Sequence, residues 1–313
     1  VVLRKQQALP FSSLFMQSGP TIFAEATAKA VSNGEFCVIS LESTTTTGIV
    51  AQGNATVTLG CGMATNSRSS NAVIAGGSSL VTANPISAVG GISPSNNFAP
   101  GTQLLPGSIA QSDPLSGLPT PEPINCSSEL RVLPNQTRNI SNNSGTQCFR
   151  GNDILGTVNF APGIYVIDGS MRVGSQAKVT GTGVTSILTS STASSNPSSI
   201  GQVTINGGAT MQITAPTTGT YAGILFYQDR RAPYSDGNRI NGNSSSLFQG
   251  AFYFPSQGMV FNGTTGMQTD CIQLVARRVT FTGNSRITNQ CPPELRSWCV
   301  FGSAGLLGRV KCK

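Results

Sequence analysis

The sequence predicts an all-β chain, a right-handed parallel β-helix with irregular coils and a long Pro/Ser/Asn-rich excursion. Three observations lead there. A short phrase recurs, glycine then small polar residues then an apolar one, at Gly53-Asn54-Ala55-Thr56-Val57, Gly77-Ser78-Ser79-Leu80-Val81, Gly174 to Val179, Gly208 to Met211, Gly242 to Leu247 and Gly283 to Ile287. Its uneven spacing excludes a strict-period solenoid and suits coils that carry loops of different length. Only 10% of the residues are charged, against roughly 25% in ordinary globular chains. Alternation such as Thr56-Val57-Thr58-Leu59 and Gln202-Val203-Thr204-Ile205 places an apolar residue at every second position, where one face of a strand is buried. The competing architecture is an antiparallel sandwich, whose strands are equally short and glycine-bounded. The 313 residues are enough to bury a useful core, as one elongated domain or two parts.

Residues 1–34 differ most from the rest and are expected to form a helical or flexible segment. Ala24 to Ala30 has helix propensity, and Asn33-Gly34 is a natural stop. The β-helix domain is placed at 35–298. Its first strands are Phe36 to Leu41, Ala55 to Leu59, Ala72 to Ile74 and Ser79 to Ala83. From about 92 to 150 prolines arrive among serines and asparagines, at Pro94, Pro100, Pro106, Pro114, Pro119, Pro121, Pro123 and Pro134. Proline removes a ladder donor, so a long surface insertion is expected there. A second strand-rich block follows, with 156–160, 163–169, 177–179 and 184–188 as two compact coils. Further strands are read at 203–205, 222–227, 251–254, 259–261, 271–276 and 279–281. Residues 299–313 form a basic tail containing cysteines.

The eight cysteines are even in number, with no Cys-x-x-Cys and no histidine, which favours disulfides in an exported protein over a metal site. Proximity suggests Cys37 with Cys61, Cys126 with Cys148 and Cys271 with Cys291, one choice among about a hundred full pairings. A reduced intracellular chain with idle thiols is the alternative. The absence of histidine removes the usual proton relay of nucleophilic hydrolases and the mixed His/Cys zinc sites. No cofactor is expected. The net charge of +7 comes from scattered Lys and Arg without interleaved aromatics, so it reads as a mildly basic exported surface with no nucleic-acid partner.

Candidate chemistry lies with the acids. Asp168, Asp229, Asp236 and Asp270, with Arg172, Arg230 and Arg231 as positive partners, could build a carbohydrate-active site only if distant positions converge. The best convergence is Asp168 or Asp229 with Arg230, beside the loop holding Asp236. Each acid also has a plain local role: Asp168 and Asp236 precede turn glycines, and Asp229 can pair with Arg230. Asp229, Asp236 and Asn238 offer hard oxygens to calcium but lack the spacing of known calcium loops. Tyr227 and Tyr234 are the aromatic candidates for glycan contact.

Several stretches resemble the carboxy-terminal exported region of TadG-like proteins of bacterial tight-adherence (Tad or Flp) pilus assembly. They include Cys37 to Glu42, Gly53 to Val57 leading to Cys61-Gly62, Asp113-Pro114-Leu115, Pro162 to Gly169, Ala222 to Arg230 and Gly250 to Pro255. The resemblance spans roughly residues 24 to 290 and departs at both ends. It implies a non-enzymatic exported module on the periplasmic or extracellular side of a bacterial envelope, with other pilus-assembly or envelope proteins as partners. It brings no catalytic residues, and membrane association is expected only through a segment upstream of Val1. The alternative function is a carbohydrate-binding or polysaccharide-degrading β-helix whose partners are surface glycans.

Overall fold

The computed structural model describes residues 2–6, 21–25, 36–123, 125–262, 268–284 and 286–289. The chain divides into two compact units, Val1–Asn33 and Gly34–Lys313. In the first, Val2–Gln6 and Thr21–Glu25 pair antiparallel. The second strand takes in Ala24 and Glu25, the first two residues of the stretch read as helix-prone; the rest of that stretch lies outside the described residues.

The second unit is all-β, and every strand pairing described in it is parallel. Over residues 130–240 each short strand pairs with the strand three places before or after it, so three strands make a rung and rungs stack into three faces. On one face Leu130–Val132, Asn152–Ile154, Met171–Val173, Val203–Ile205 and Asn238–Ile240 succeed one another. We call it the arginine face, for Arg131, Arg172 and Arg239 at its outward positions. On the threonine face Thr137–Ile140, Thr157–Phe160, Lys178–Thr182 and Thr210–Thr214 are stacked. The third carries Thr146–Phe149, Gly163–Asp168, Val184–Thr189 and Ile224–Gln228. This ladder excludes the antiparallel sandwich.

Strands of three residues suffice because only the outer two need to point inward. In Leu130–Val132 the leucine and valine are 1% and 0% exposed while Arg131 faces solvent. The same in-out-in pattern recurs in Met171–Val173 and Asn238–Ile240. Inward side chains of all three faces form one continuous core, in which Phe226, Phe248, Phe252 and Phe261 meet at ring-centroid distances of 5.2 to 6.1 Å. The recurring glycine phrase occupies a single corner, between the arginine and threonine faces. There Gly283, Gly53 and Gly77 have φ of +75°, +71° and +66°, a region that residues with a Cβ enter only at a cost. Their backbones also stack closely, so that a Cβ on Gly77 would lie 3.0 Å from the Gly53 carbonyl oxygen.

Rung order departs from chain order. Residues 130–289 climb the stack, but the place next to Gln268–Phe281 on the third face is filled by Phe36–Ser40, from the start of the unit. Ile49–Ala51 and Thr56–Leu59 continue the other two faces above Phe281 and Asn289. The rung that begins at Val279 is thus composite, with two strands from one end of the unit and one from the other. Residues 62–105 extend the stack further.

The excursion expected over 92–150 is shorter. Ile92, Phe98 and Leu104–Leu105 still belong to a rung, and 130–149 form a complete one. Pro134 sits in a corner, where it removes no ladder hydrogen bond. What remains, residues 106–123 and 125–129, runs back along the third face as a strap. Leu115 of the strap packs with Ile187, Tyr221, Ile224, Tyr227, Tyr253 and Val275 in a second apolar cluster, which buries the outward side of that face too. Disulfides join Cys37 to Cys61 and Cys126 to Cys148. Cys271 is also disulfide-bonded. Cys291, Cys299 and Cys312 lie outside the described residues, as does the 299–313 tail.

Candidate functional site

The loop after Ile224–Gln228 holds Asp229, Arg230, Arg231, Tyr234 and Asp236, so it gathers most of the candidate residues. It lies at the corner between the strapped face and the arginine face. Tyr227, at the end of the strand feeding it, is fully buried, stacked 5.1 Å from Tyr253 and edge-on to Tyr221 at 5.9 Å. It is not a surface platform for a sugar.

Asp229 is 1% exposed and completely engaged. Its carboxylate accepts from the Thr189 hydroxyl at 2.7 Å, from the Arg231 backbone N–H at 2.9 Å and from Arg231 Nη2 at 2.7 Å. Burial alone would raise its pKa; hydrogen bonds from Arg231 and Thr189 and the nearby guanidinium outweigh that and hold it below the ordinary carboxylate value. The partner is therefore Arg231, not Arg230. The tight turn folds residue 231 back over Asp229 while residue 230 points the other way. Arg231 reaches on to Ser194 Oγ at 2.8 Å and to Glu122 of the strap at 3.2 Å.

Arg230 is the pin of the strap. Its guanidinium donates to the Tyr253 hydroxyl at 2.8 Å, the Tyr227 hydroxyl at 2.9 Å, the Leu118 carbonyl at 2.9 Å and the Leu115 carbonyl. It lies 5.2 Å from the Tyr253 ring centroid and 5.6 Å from that of Tyr227, within cation–π range. The Tyr253 hydroxyl in turn donates to Asp113 at 2.6 Å, and the Tyr221 hydroxyl to the Pro119 carbonyl at 2.7 Å. Burial first, then the neighbouring Tyr227, pushes Tyr221 up to about 12, and burial also raises Tyr253, so both remain donors across the physiological range.

Asp236 belongs to a separate cluster. It accepts from the Tyr234 hydroxyl at 2.6 Å and from Arg278 Nη2 at 2.7 Å, and burial raises its pKa. Arg277 and Arg278 each sit 4.5 Å from the centroid of the Tyr234 ring, and Arg277 pairs with buried Glu42 at 3.0 Å. Tyr234 is 45% exposed, so of the two aromatic candidates it alone faces solvent. Sequence reasoning missed Glu42, because it comes to Arg277 from 235 residues away through the composite rung. Asp168 is a corner clamp. It accepts from the Ser191 backbone N–H at 3.0 Å and hydroxyl at 2.8 Å, linking neighbouring rungs. Asn238 is buried, with Oδ1 accepting from the Val203 N–H and Nδ2 donating to Gln257, so it does not join Asp229 and Asp236 around an ion. The side chain of Asp270 lies outside the described residues.

Thus the structure brings Asp229, Arg230 and Asp236 into one loop but assigns each to a different neighbour. Asp229 and Asp236 each have an arginine partner; neither faces the other as an acid–base pair. Among the described residues no group of three or more Cys, Asp or Glu is placed to hold a metal ion. A cavity of about 420 Å³ opens at the corner between the threonine and strapped faces, lined by Gly145, Pro162, Gly163, Thr217, Thr218 and Tyr221, with no charged group. Comparison with known protein families, with curated proteins and with solved structures finds no match to this chain.

Proposed function

We propose that this chain is a non-enzymatic exported surface module, a right-handed parallel β-helix that takes part in assembly of a Tad/Flp-type adhesive pilus in a bacterial envelope. The observation that carries this reading is the employment of the candidate polar groups as ties within the scaffold. Asp229 and Arg231 bind the loop to the rung below and to Glu122, and Arg230 binds the strap. Groups committed in this way stiffen a scaffold and are poorly placed to shuttle protons. The disulfides agree with an oxidising compartment. The resemblance of 24–290 to TadG-like regions supplies the pilus role, with other assembly or envelope proteins as partners.

The test is deletion of the complete gene, followed by counting surface fibres and measuring attachment. Loss of fibres, restored by the intact gene, supports the role. Normal fibres and normal attachment in the deletion strain refute it. Fractionation adds an independent check, since the reading requires the protein on the far side of the inner membrane.

A further inference from the structure

The outward column of the arginine face is regular in a way that the pilus reading does not use. Register aligns Arg131, Asp153, Arg172, Thr204 and Arg239 on successive rungs. An arginine therefore recurs at every second rung, and all three are exposed. Two rungs advance about 9.6 Å, from a strand spacing of about 4.8 Å. Lys178 adds a further exposed cation on the same rung as Arg172, just past the glycine corner. The acids Asp113, Glu122, Asp229 and Asp236 are bonded on or beside the strapped face; Asp153 is the single acid in this column, and exposed Glu129 lies at the corner that leads into it. Above Arg239 the column changes character to Val260, Thr280, Val50 and Ile74, so the basic footprint ends there.

We infer that the arginine face binds a linear acidic polysaccharide with one carboxylate per disaccharide, laid along the stacking axis over Arg131, Arg172 and Arg239. Two rungs, about 9.6 Å, make a step on the scale of one extended, β-linked disaccharide, so successive carboxylates meet successive guanidiniums. Each guanidinium offers a planar fork matched to a carboxylate. Asp153 lies between two arginines, partly buried and ion-paired with Arg131 at 4.0 Å, and its negative charge disfavours a polymer that carries a carboxylate on every sugar. Single-stranded nucleic acid is a poorer fit. Its charges fall far more densely than one per two rungs, and the column has no aromatic ring on which a base could stack. The inference is independent of the pilus role and survives its failure.

Affinity electrophoresis of the whole chain, at low ionic strength, through gels containing hyaluronan, polygalacturonate, dextran or single-stranded DNA tests this. Hyaluronan, with one carboxylate per disaccharide, is expected to retard the protein most, with the effect fading as salt is added. The double variant Arg172→Ser, Arg239→Ser should weaken retardation about tenfold, through lost charge-assisted contacts. Arg150→Ser, which removes an exposed arginine from another corner, should leave it within about twofold. Asp153→Asn should improve binding of polygalacturonate. Because Arg150, Arg172 and Arg239 are exposed, thermal melts of the arginine variants should match that of the parent. Equal loss in Arg150→Ser, tighter binding to DNA, polygalacturonate or dextran by the parent, or no retardation by hyaluronan would each overturn the inference.

Discussion

Replacing Arg230 by methionine isolates the contribution of the strap. The substitution keeps much of the aliphatic stem and removes the guanidinium that donates to two hydroxyls of the strand stack and two carbonyls of the strap. The losses are unequal. The Tyr253 and Tyr227 hydroxyls retain Asp113 and Thr120, whereas the Leu115 and Leu118 carbonyls lose a charged donor. A hydrogen bond to a charged group is worth about 1.5–3 kcal/mol and a partly desolvated cation–π contact about 1, and shared partners make them less than additive. A destabilisation of the strap of about 3 kcal/mol follows, an increase of about two orders of magnitude in its open population. Thermolysin cleavage beside Leu115 and Leu118 measures this directly, with urea unfolding followed by circular dichroism as the global readout. The variant should be cut in the strap roughly a hundred times faster while the rungs stay resistant. A cleavage rate within about threefold of the parent would refute the role of Arg230 as the pin.

Three further outcomes are expected. Asp229 and Glu42 both have folded pKa values depressed below their ordinary 3.8 and 4.5, so their contribution to stability is fully present above those values and is lost as pH falls through the folded ones. Urea midpoints should drop on acidification below about pH 4, and Asp229→Asn should be less stable near neutrality with a flatter acid limb. Opening either closed loop by Cys37→Ser or Cys126→Ser should cost about 3 kcal/mol in equilibrium unfolding, and peptide mapping without reduction should recover 37–61 and 126–148 as linked fragments. Gly77→Ala should destabilise by about 1–2 kcal/mol because of its positive φ and the nearby Gly53 carbonyl, while Gly76→Ala, with open space around its Cβ, should be close to neutral.

The sequence by itself determined what is local. Alternation in Thr56–Leu59 and Thr157–Phe160 follows directly from which side chains must leave water, and the recurring glycines mark a corner because few other residues tolerate that backbone. The two strands 163–168 and 184–189 were legible as neighbouring coils because only short, glycine-containing turns separate them. Cys37–Cys61 and Cys126–Cys148 were legible from proximity along the chain, and each loop is roughly one rung long, so the two cysteines meet on neighbouring rungs of the third face. The limits of the excursion were not, since a proline in a corner and a proline in a strap look alike along the chain. Only the tertiary structure decided the order of the rungs, the strap, and the partners of Asp229, Arg230 and Asp236. The physical reason is that a parallel rung exposes a similar edge of N–H and C=O groups wherever the stack ends, so backbone pairing alone does not select Phe36–Ser40 as the strand beside residues 274–276. Contacts such as Arg277 with Glu42 favour that pairing, and Tyr253 with Asp113 sets the course of the strap; they join residues 235 and 140 positions apart and leave no periodic trace in the sequence.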